Sequence, residues 1–201
     1  DAVTLHQFQS PESKMAMERV TSVFEEKVHL LCNRRVEPDD LSQAQPGDVD
    51  ILTNAYGSGS YITWRMLTKL NPKYRRFGSE EKGLDEALLR LLDNDRPTCL
   101  FYVTSLRGGT LLRAENNFAD RLKLVGITDK LLTKTNPRLK RPLYQDSQIT
   151  AETYPKLSKV SVNTIAMNAV FFVSKEWIHQ FPEAQKKLSK RLLELLIEKK
   201  Q

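Results

Sequence analysis

Two glycines and two serines stand between tyrosines in the run Tyr56, Gly57, Ser58, Gly59, Ser60 and Tyr61. An apolar stretch, Val49 to Asn54, precedes the run, and a helical spacing of Ile62, Met66, Leu67 and Leu70 follows it. A glycine-rich turn between a buried strand and a helix lets the backbone approach a ligand closely. The first amides of the helix have no intrahelical acceptor, and serine hydroxyls add donors. Carboxylate or phosphate is the chemistry such a loop suits, because unpaired amides and the positive end of the helix dipole both favour an anion. The expected contacts are the amides of Ser58 to Tyr61 and the hydroxyl of Ser60. The same residues also fit a plain helix cap on a tight turn, with Ser60 as the cap.

Magnitudes bound what the loop can do alone. A hydrogen bond to a charged group contributes about 1.5–3 kcal/mol, and the helix dipole adds about 0.3–1 kcal/mol. A micromolar ligand needs about 8 kcal/mol, so further groups must join the loop. Arg107, just after the apolar run from Cys99 to Leu106, is placed either to meet an anion or simply to face water. Tyr61 and Trp64 are candidates for a pocket wall, although Trp64 at helical spacing from Leu67 also fits a core position.

Other chemistries lack their residues. No Gly-Lys-Ser/Thr follows the glycines, and the three spaced glycines of a dinucleotide loop are missing. Glu25 with Glu26, and Asp93 with Asp95, have no accompanying base, nucleophile or metal ligand, so no catalytic pair is expected. His6, His29 and His179 are scattered, and two cysteines are too few for zinc. Cys32 and Cys99 lie in separate apolar runs and are expected to be reduced and buried in different strands.

The elements that must position the loop follow from periodicity. Ala2 to Phe8 predicts a short strand, Met15 to Val23 a helix, and residues 28 to 32 a strand. After the glycine loop and its helix, a second helix fits Gly83 to Asp93, with Leu84, Leu88, Leu91 and Leu92 on one face. The nearly continuous apolar run Cys99 to Leu106 predicts a strand buried on both sides. Gly108 and Gly109 then precede a helix over Leu111 to Asn116, and residues 122 to 127 form a further strand. Alternation of this kind predicts an open parallel α/β sheet. Residues 133 to 159, with several prolines and few apolar side chains, read as a long surface connection. A strand in the run Ser161 to Ser174 and a helix from about Pro182 complete the chain.

Bulk properties agree with a folded chain of ordinary composition. Of 201 residues, 40% are hydrophobic and 28% charged, which is close to globular averages. The net charge of +6 is dispersed through Arg34 and Arg35, Lys73 to Arg76, Arg138 to Arg141 and Lys186 to Arg191. Acids and prolines interrupt these groups and no recognition motif accompanies them, so a nucleic-acid partner is not expected. The longest apolar run is far shorter than the ~20 residues a membrane-spanning helix needs.

As an ordered set, these segments resemble the TAXI family of TRAP-transporter solute receptors. The likeness runs over residues 20 to 200, through EEKVHLLCNRR, QPGDVDILTNAYGSGSYITWRMLTKL, DEALLRLLDNDRPTCLFYVTSL, RLKLVGITDKLL, ITAETYPKL and NTIAMNAVFFVSKEW. Gly57, Ser58, Gly59 and Ser60 match the family's glycine-serine loop, with serine in the usual threonine position, and Thr153, Tyr154 and Pro155 match its tyrosine segment. The resemblance implies an α/β fold like a type II periplasmic binding protein. One complete α/β lobe would span 36–160, and a partial other lobe would be built from 1–35 and 161–201. Hinge strands near His29 to Asn33 and Thr164 to Phe172 would join them.

The resemblance further implies a non-enzymatic receptor with no cofactor, in a periplasmic or extracytoplasmic location, free or membrane-anchored. It would capture a small anionic solute, a carboxylate or acidic amino acid, and deliver it to TRAP permease membrane subunits. Tyr154 joins the expected site through this resemblance alone. The family's glycine-rich N-terminal segment is not represented here, which leaves open a fragment or a member with a reduced lobe. A ligand sensor or scaffold that keeps the fold without transport is the alternative.

Overall fold

The computed structural model describes residues 17–93, 95–136 and 140–198, so the strand expected over Ala2 to Phe8 lies outside the described residues. The chain divides into two compact units, one of Glu26–Met167 and one of Asp1–Glu25 with Asn168–Gln201. Two long strands, β1 (Met17–Asn33) and β9 (Val162–Ser174), each contribute residues to both units.

The Glu26–Met167 unit is a mixed α/β structure whose sheet runs β3 (Ser79–Glu81), β2 (Asp50–Thr53), β4 (Thr98–Thr104), β1, β9 and β8 (Gln145–Ile149), with β5 (Leu122–Val125) also paired to β1. Helices cover both faces, which is why β4 reads as an unbroken apolar run. On one face lies α1 (Gly59–Leu70). Its Trp64 packs on Phe101 of β4 at 5.3 Å and on Tyr74 at 5.9 Å between ring centroids. Trp64 is therefore core and not a pocket wall. On the other face lie α2 (Leu84–Asp93) and α3 (Gly109–Phe118). Ala87, Leu88, Leu91 and Leu92 of α2 form a helical stripe against Leu31, Leu52, Leu100, Leu111 and Ala114.

The expected all-parallel sheet is only partly present. β2 is parallel to β3 and to β4, but β1 runs antiparallel to both β4 and β5. Helical crossovers make β2, β3 and β4 parallel, whereas β1 arrives directly from residues 17–25 and is free of that constraint. β1 also extends through residues 17 to 23, where a helix was expected. Val20, Thr21 and Val23 are β-branched there, and strand pairing overrode the apparent helical spacing.

The reduced cysteines were a further expectation that fails: Cys32 and Cys99 form a disulfide. They are buried in different strands as expected, but those strands are neighbours, and the two residues stand directly opposite in the β1–β4 register. Residues 133 to 159 are likewise more than a surface connection. They hold the paired strands β6 (Thr135–Asn136) and β7 (Arg141–Pro142) as well as β8, and they bury Tyr144, Ile149, Tyr154 and Leu157.

The other unit contains, among its described residues, the first part of β1, the last part of β9, α4 (Lys175–Gln180) and α5 (Pro182–Glu198), and up to residue 195 none of its described residues is buried. Among the described residues no helix is long and apolar enough to cross a membrane, and no group of histidine, cysteine and acidic residues has a metal-binding arrangement.

Candidate functional site

β2 and β4 are adjacent and parallel, so the loops that follow them emerge at one end of the sheet. The first, 54–58, leads into α1, and the second, 105–108, leads into α3. Ligands of open α/β sheets collect at this carboxyl end, where loops and helix starts converge.

In the first loop Gly57 has φ of 79°, a left-handed turn that glycine takes at no steric cost. Ser58, with extended backbone, is the N-cap of α1: its hydroxyl accepts the Tyr61 N–H at 3.2 Å, and its own N–H goes to the Ala55 carbonyl at 3.1 Å. The amides of Gly59 and Ser60 are left without a partner among the described hydrogen bonds, and they are the donors that face outward at a helix start. An added Cβ at Gly59 would meet nothing within 4 Å, so the helix start is open on its Cβ side.

Ser60 plays a different part from the one expected. It is 3% exposed, and its hydroxyl accepts the Val103 N–H of β4 at 3.0 Å. This bond ties the start of α1 to the end of β4, making Ser60 a strut between the two loops while Ser58 provides the cap. Tyr56 is 79% exposed, and its ring lies 5.0 Å from that of Tyr61, so the two form an aromatic flank beside the amides.

The second loop repeats the arrangement. Gly108 is the N-cap of α3 with no side-chain cap. Its carbonyl takes the N–H groups of Leu111 and Leu112 at 3.0 Å each, which leaves the amides of Gly109 and Thr110 without a described partner. Here too an added Cβ at Gly109 would meet open space. Arg107 has an exposed side chain and a left-handed backbone with φ of 60°, and its N–H donates to the hydroxyl oxygen of Tyr154 at 2.6 Å. Tyr154 is 1% exposed, and burial pushes its hydroxyl pKa upward, so it stays a neutral phenol under ordinary conditions.

Of the expected residues, Tyr56, Gly57, Ser58, Gly59, Ser60 and Tyr61 form one loop and helix start, and Arg107 belongs to the neighbouring loop. Tyr154 stands beneath that second loop. Sequence reasoning missed Gly109 and Thr110, although the same signal, an apolar strand followed by glycine and a helix, marked both places.

A competing cavity of about 580 Å³ lies at the opposite end of the sheet, lined by Arg34, Arg35 and Arg121 with Asp93 and Asp95. Its arginines are already engaged. Arg34 donates to the Ala119 carbonyl at 2.8 Å, Arg121 to the Leu92 carbonyl, and Arg35 pairs with Asp95 at 3.0 Å. Cations that close helix C-termini beside two carboxylates leave little net field for a solute.

No protein-family model matches the chain, and no curated protein matches it. Solved structures with a similar backbone include lactococcal OpuAC in its closed form with glycine betaine, at 11% identity and a TM-score of 0.49, covering 94% of this chain and 61% of that one. The arginine-, lysine-, histidine-binding protein ArtJ from Geobacillus stearothermophilus is similar at 11% identity and a TM-score of 0.47, covering 95% and 62%. The amino acid transporter substrate-binding protein AbpA from Streptococcus pneumoniae, bound to L-arginine, is similar at 13% identity and a TM-score of 0.41, covering 94% and 63%. The chain thus spans about three fifths of the length of these structures.

Proposed function

We propose that this chain is the solute-recognising part of a non-enzymatic receptor, and that it holds the anionic group of a small carboxylate or acidic amino acid. The observation that carries the reading is the convergence of two helix starts, each with two amides lacking a described partner, at the carboxyl ends of adjacent parallel strands. Four such donors can replace the hydration of a carboxylate, and the dipoles of α1 and α3 both favour negative charge there. Tyr56 and Tyr61 would flank the rest of the solute. The Ser58 hydroxyl is engaged as the cap of α1 and the Ser60 hydroxyl by the Val103 N–H, and the proposal takes the site as one of binding without turnover.

In this proposal the chain belongs to a two-lobed receptor, with 36–160 in one lobe and with 1–35 and 161–201 supplying the hinge strands, whose inner parts pair in the sheet of the Glu26–Met167 unit, and part of the other lobe. Delivery to TRAP permease membrane subunits is the role that the family resemblance favours. An extracytoplasmic location is further supported by the Cys32–Cys99 disulfide, since such bonds persist in oxidising compartments. Calorimetric titration with dicarboxylates and acidic amino acids tests the reading. One of them should bind with heat that saturates at one site, and the absence of binding across the panel would favour a scaffold that keeps the fold alone.

A further inference from the structure

Tyr154 is almost fully buried, yet its hydroxyl reaches a loop 47 residues earlier in the chain, where it accepts the Arg107 N–H at 2.6 Å. Its ring is held edge-on by His29 of β1, with centroids 5.8 Å apart and planes at 82°. The turn that carries it is fastened to α3, because Glu115 accepts the Lys156 N–H at 3.1 Å. The residue it grips, Arg107, has φ of 60°, a region that L-residues other than asparagine and aspartate seldom occupy. An unfavourable backbone conformation persists only where its surroundings over-determine it, and here the surrounding group is the Tyr154 hydroxyl.

From these contacts we propose that Tyr154 is a positioning residue: its hydroxyl holds Arg107 in the left-handed turn, and that turn aims the Gly109 and Thr110 amides at the sheet end that also presents Gly59 and Ser60. This role rests on the anion-binding reading of that edge. Tyr154 itself does not touch the solute. It acts through the backbone of the 105–108 loop, and its buried neighbours keep the hydroxyl from drifting with solvent. A tyrosine that merely filled the core would leave the loop indifferent to loss of its oxygen.

Sulfate is a suitable probe, followed through the amide resonances of the intact chain. In the unaltered protein Gly59, Ser60, Gly109 and Thr110 should respond along one saturation curve. Tyr154→Phe keeps the ring and removes the acceptor. It should weaken the response of Gly109 and Thr110 about fivefold, the factor that one net hydrogen bond supplies, and speed exchange of the Arg107 amide. Adding Arg107→Gly, which tolerates the left-handed turn unaided, should restore most of that response, a rescue that a packing role does not provide. Should Tyr154→Phe fail to fold, hydrogen exchange in the unaltered protein is the second measurement: the Arg107 amide should exchange slowly although its side chain is exposed, and exchange as fast as that of an open loop amide overturns the positioning role. A normal sulfate response in Tyr154→Phe overturns the positioning role alone. No response at either loop in the unaltered protein overturns the anion site and this role together.

Discussion

Ser58 and Ser60 are two positions apart and have nearly the same chemistry, but burial gives them different work. Ser58 is the half-buried cap, and Ser60 is a buried acceptor for Val103. Ser60→Ala would leave the Val103 N–H unsatisfied in the interior and should cost about 1–3 kcal/mol of stability. Ser58→Ala should cost about 1 kcal/mol, the usual value of an N-cap. Denaturant unfolding of the two variants measures both, and equal small losses would contradict the strut assigned to Ser60. The loop itself was legible, because glycine and serine between a strand and a helix have few other uses. Which serine caps was not, since one residue of register decides which hydroxyl faces the sheet.

His29 is a second residue whose burial has consequences. It is fully buried on β1, its Nδ1 lies 3.0 Å from the Lys27 carbonyl, and its Nε2 has no described partner. Burial, reinforced by the Lys27 charge, lowers its pKa to about 4 from an ordinary 6.5, against the raising effect of the Lys27 and Tyr102 backbone. The unfolded chain therefore binds a proton that the folded chain refuses. The stability that neutral His29 contributes is intact above pH 6.5 and falls between 6.5 and 4, by at most about 3 kcal/mol. His29→Leu should flatten this part of a stability curve measured against pH, and an unchanged slope would place the acid sensitivity elsewhere.

At the scale of elements, β1 carries the largest surprise and a direct test. It pairs antiparallel with β4 and β5 in place of a helix-linked parallel partner, and this places Cys32 opposite Cys99. The disulfide spans 67 residues, and closing a loop of that size removes unfolded-state entropy worth about 4 kcal/mol in the chain-entropy account. Intact mass should be lower by two hydrogens without reductant, and thermal unfolding should shift downward when the bond is reduced. A free-thiol titration that finds both cysteines in the native protein would contradict this pairing. The helices and the apolar strands from Val49 to Val125 were readable because apolar periodicity is local, but β3 was missed: Ser79, Glu80 and Glu81 are polar and exposed, and only pairing to β2 makes them a strand. Strand neighbours and directions are not local, so the antiparallel placement of β1 and the disulfide were beyond such periodicity. The same holds for Tyr154, whose partner Arg107 lies on a different loop.

On the scale of the whole molecule, the Glu26–Met167 unit carries the core, the disulfide and both helix starts of the candidate site. Two open amide pairs at one sheet end are a modest anchor taken singly, at about 1.5–3 kcal/mol for each hydrogen bond to a charge, but together they reach the range of a micromolar ligand. Gly59 separates this function from stability more cleanly than any other position. It begins α1 with open space where its Cβ would be, so a side chain there should leave the fold intact while adding bulk beside the amides. The decisive measurement is calorimetric titration of the panel's tightest-binding acid into the unaltered protein and into Gly59→Val, with thermal unfolding of both in parallel. The account predicts unchanged unfolding and a loss of affinity of at least about tenfold, or 1.4 kcal/mol. Equal affinity in a folded Gly59→Val protein would contradict it and reduce the loop to a helix cap.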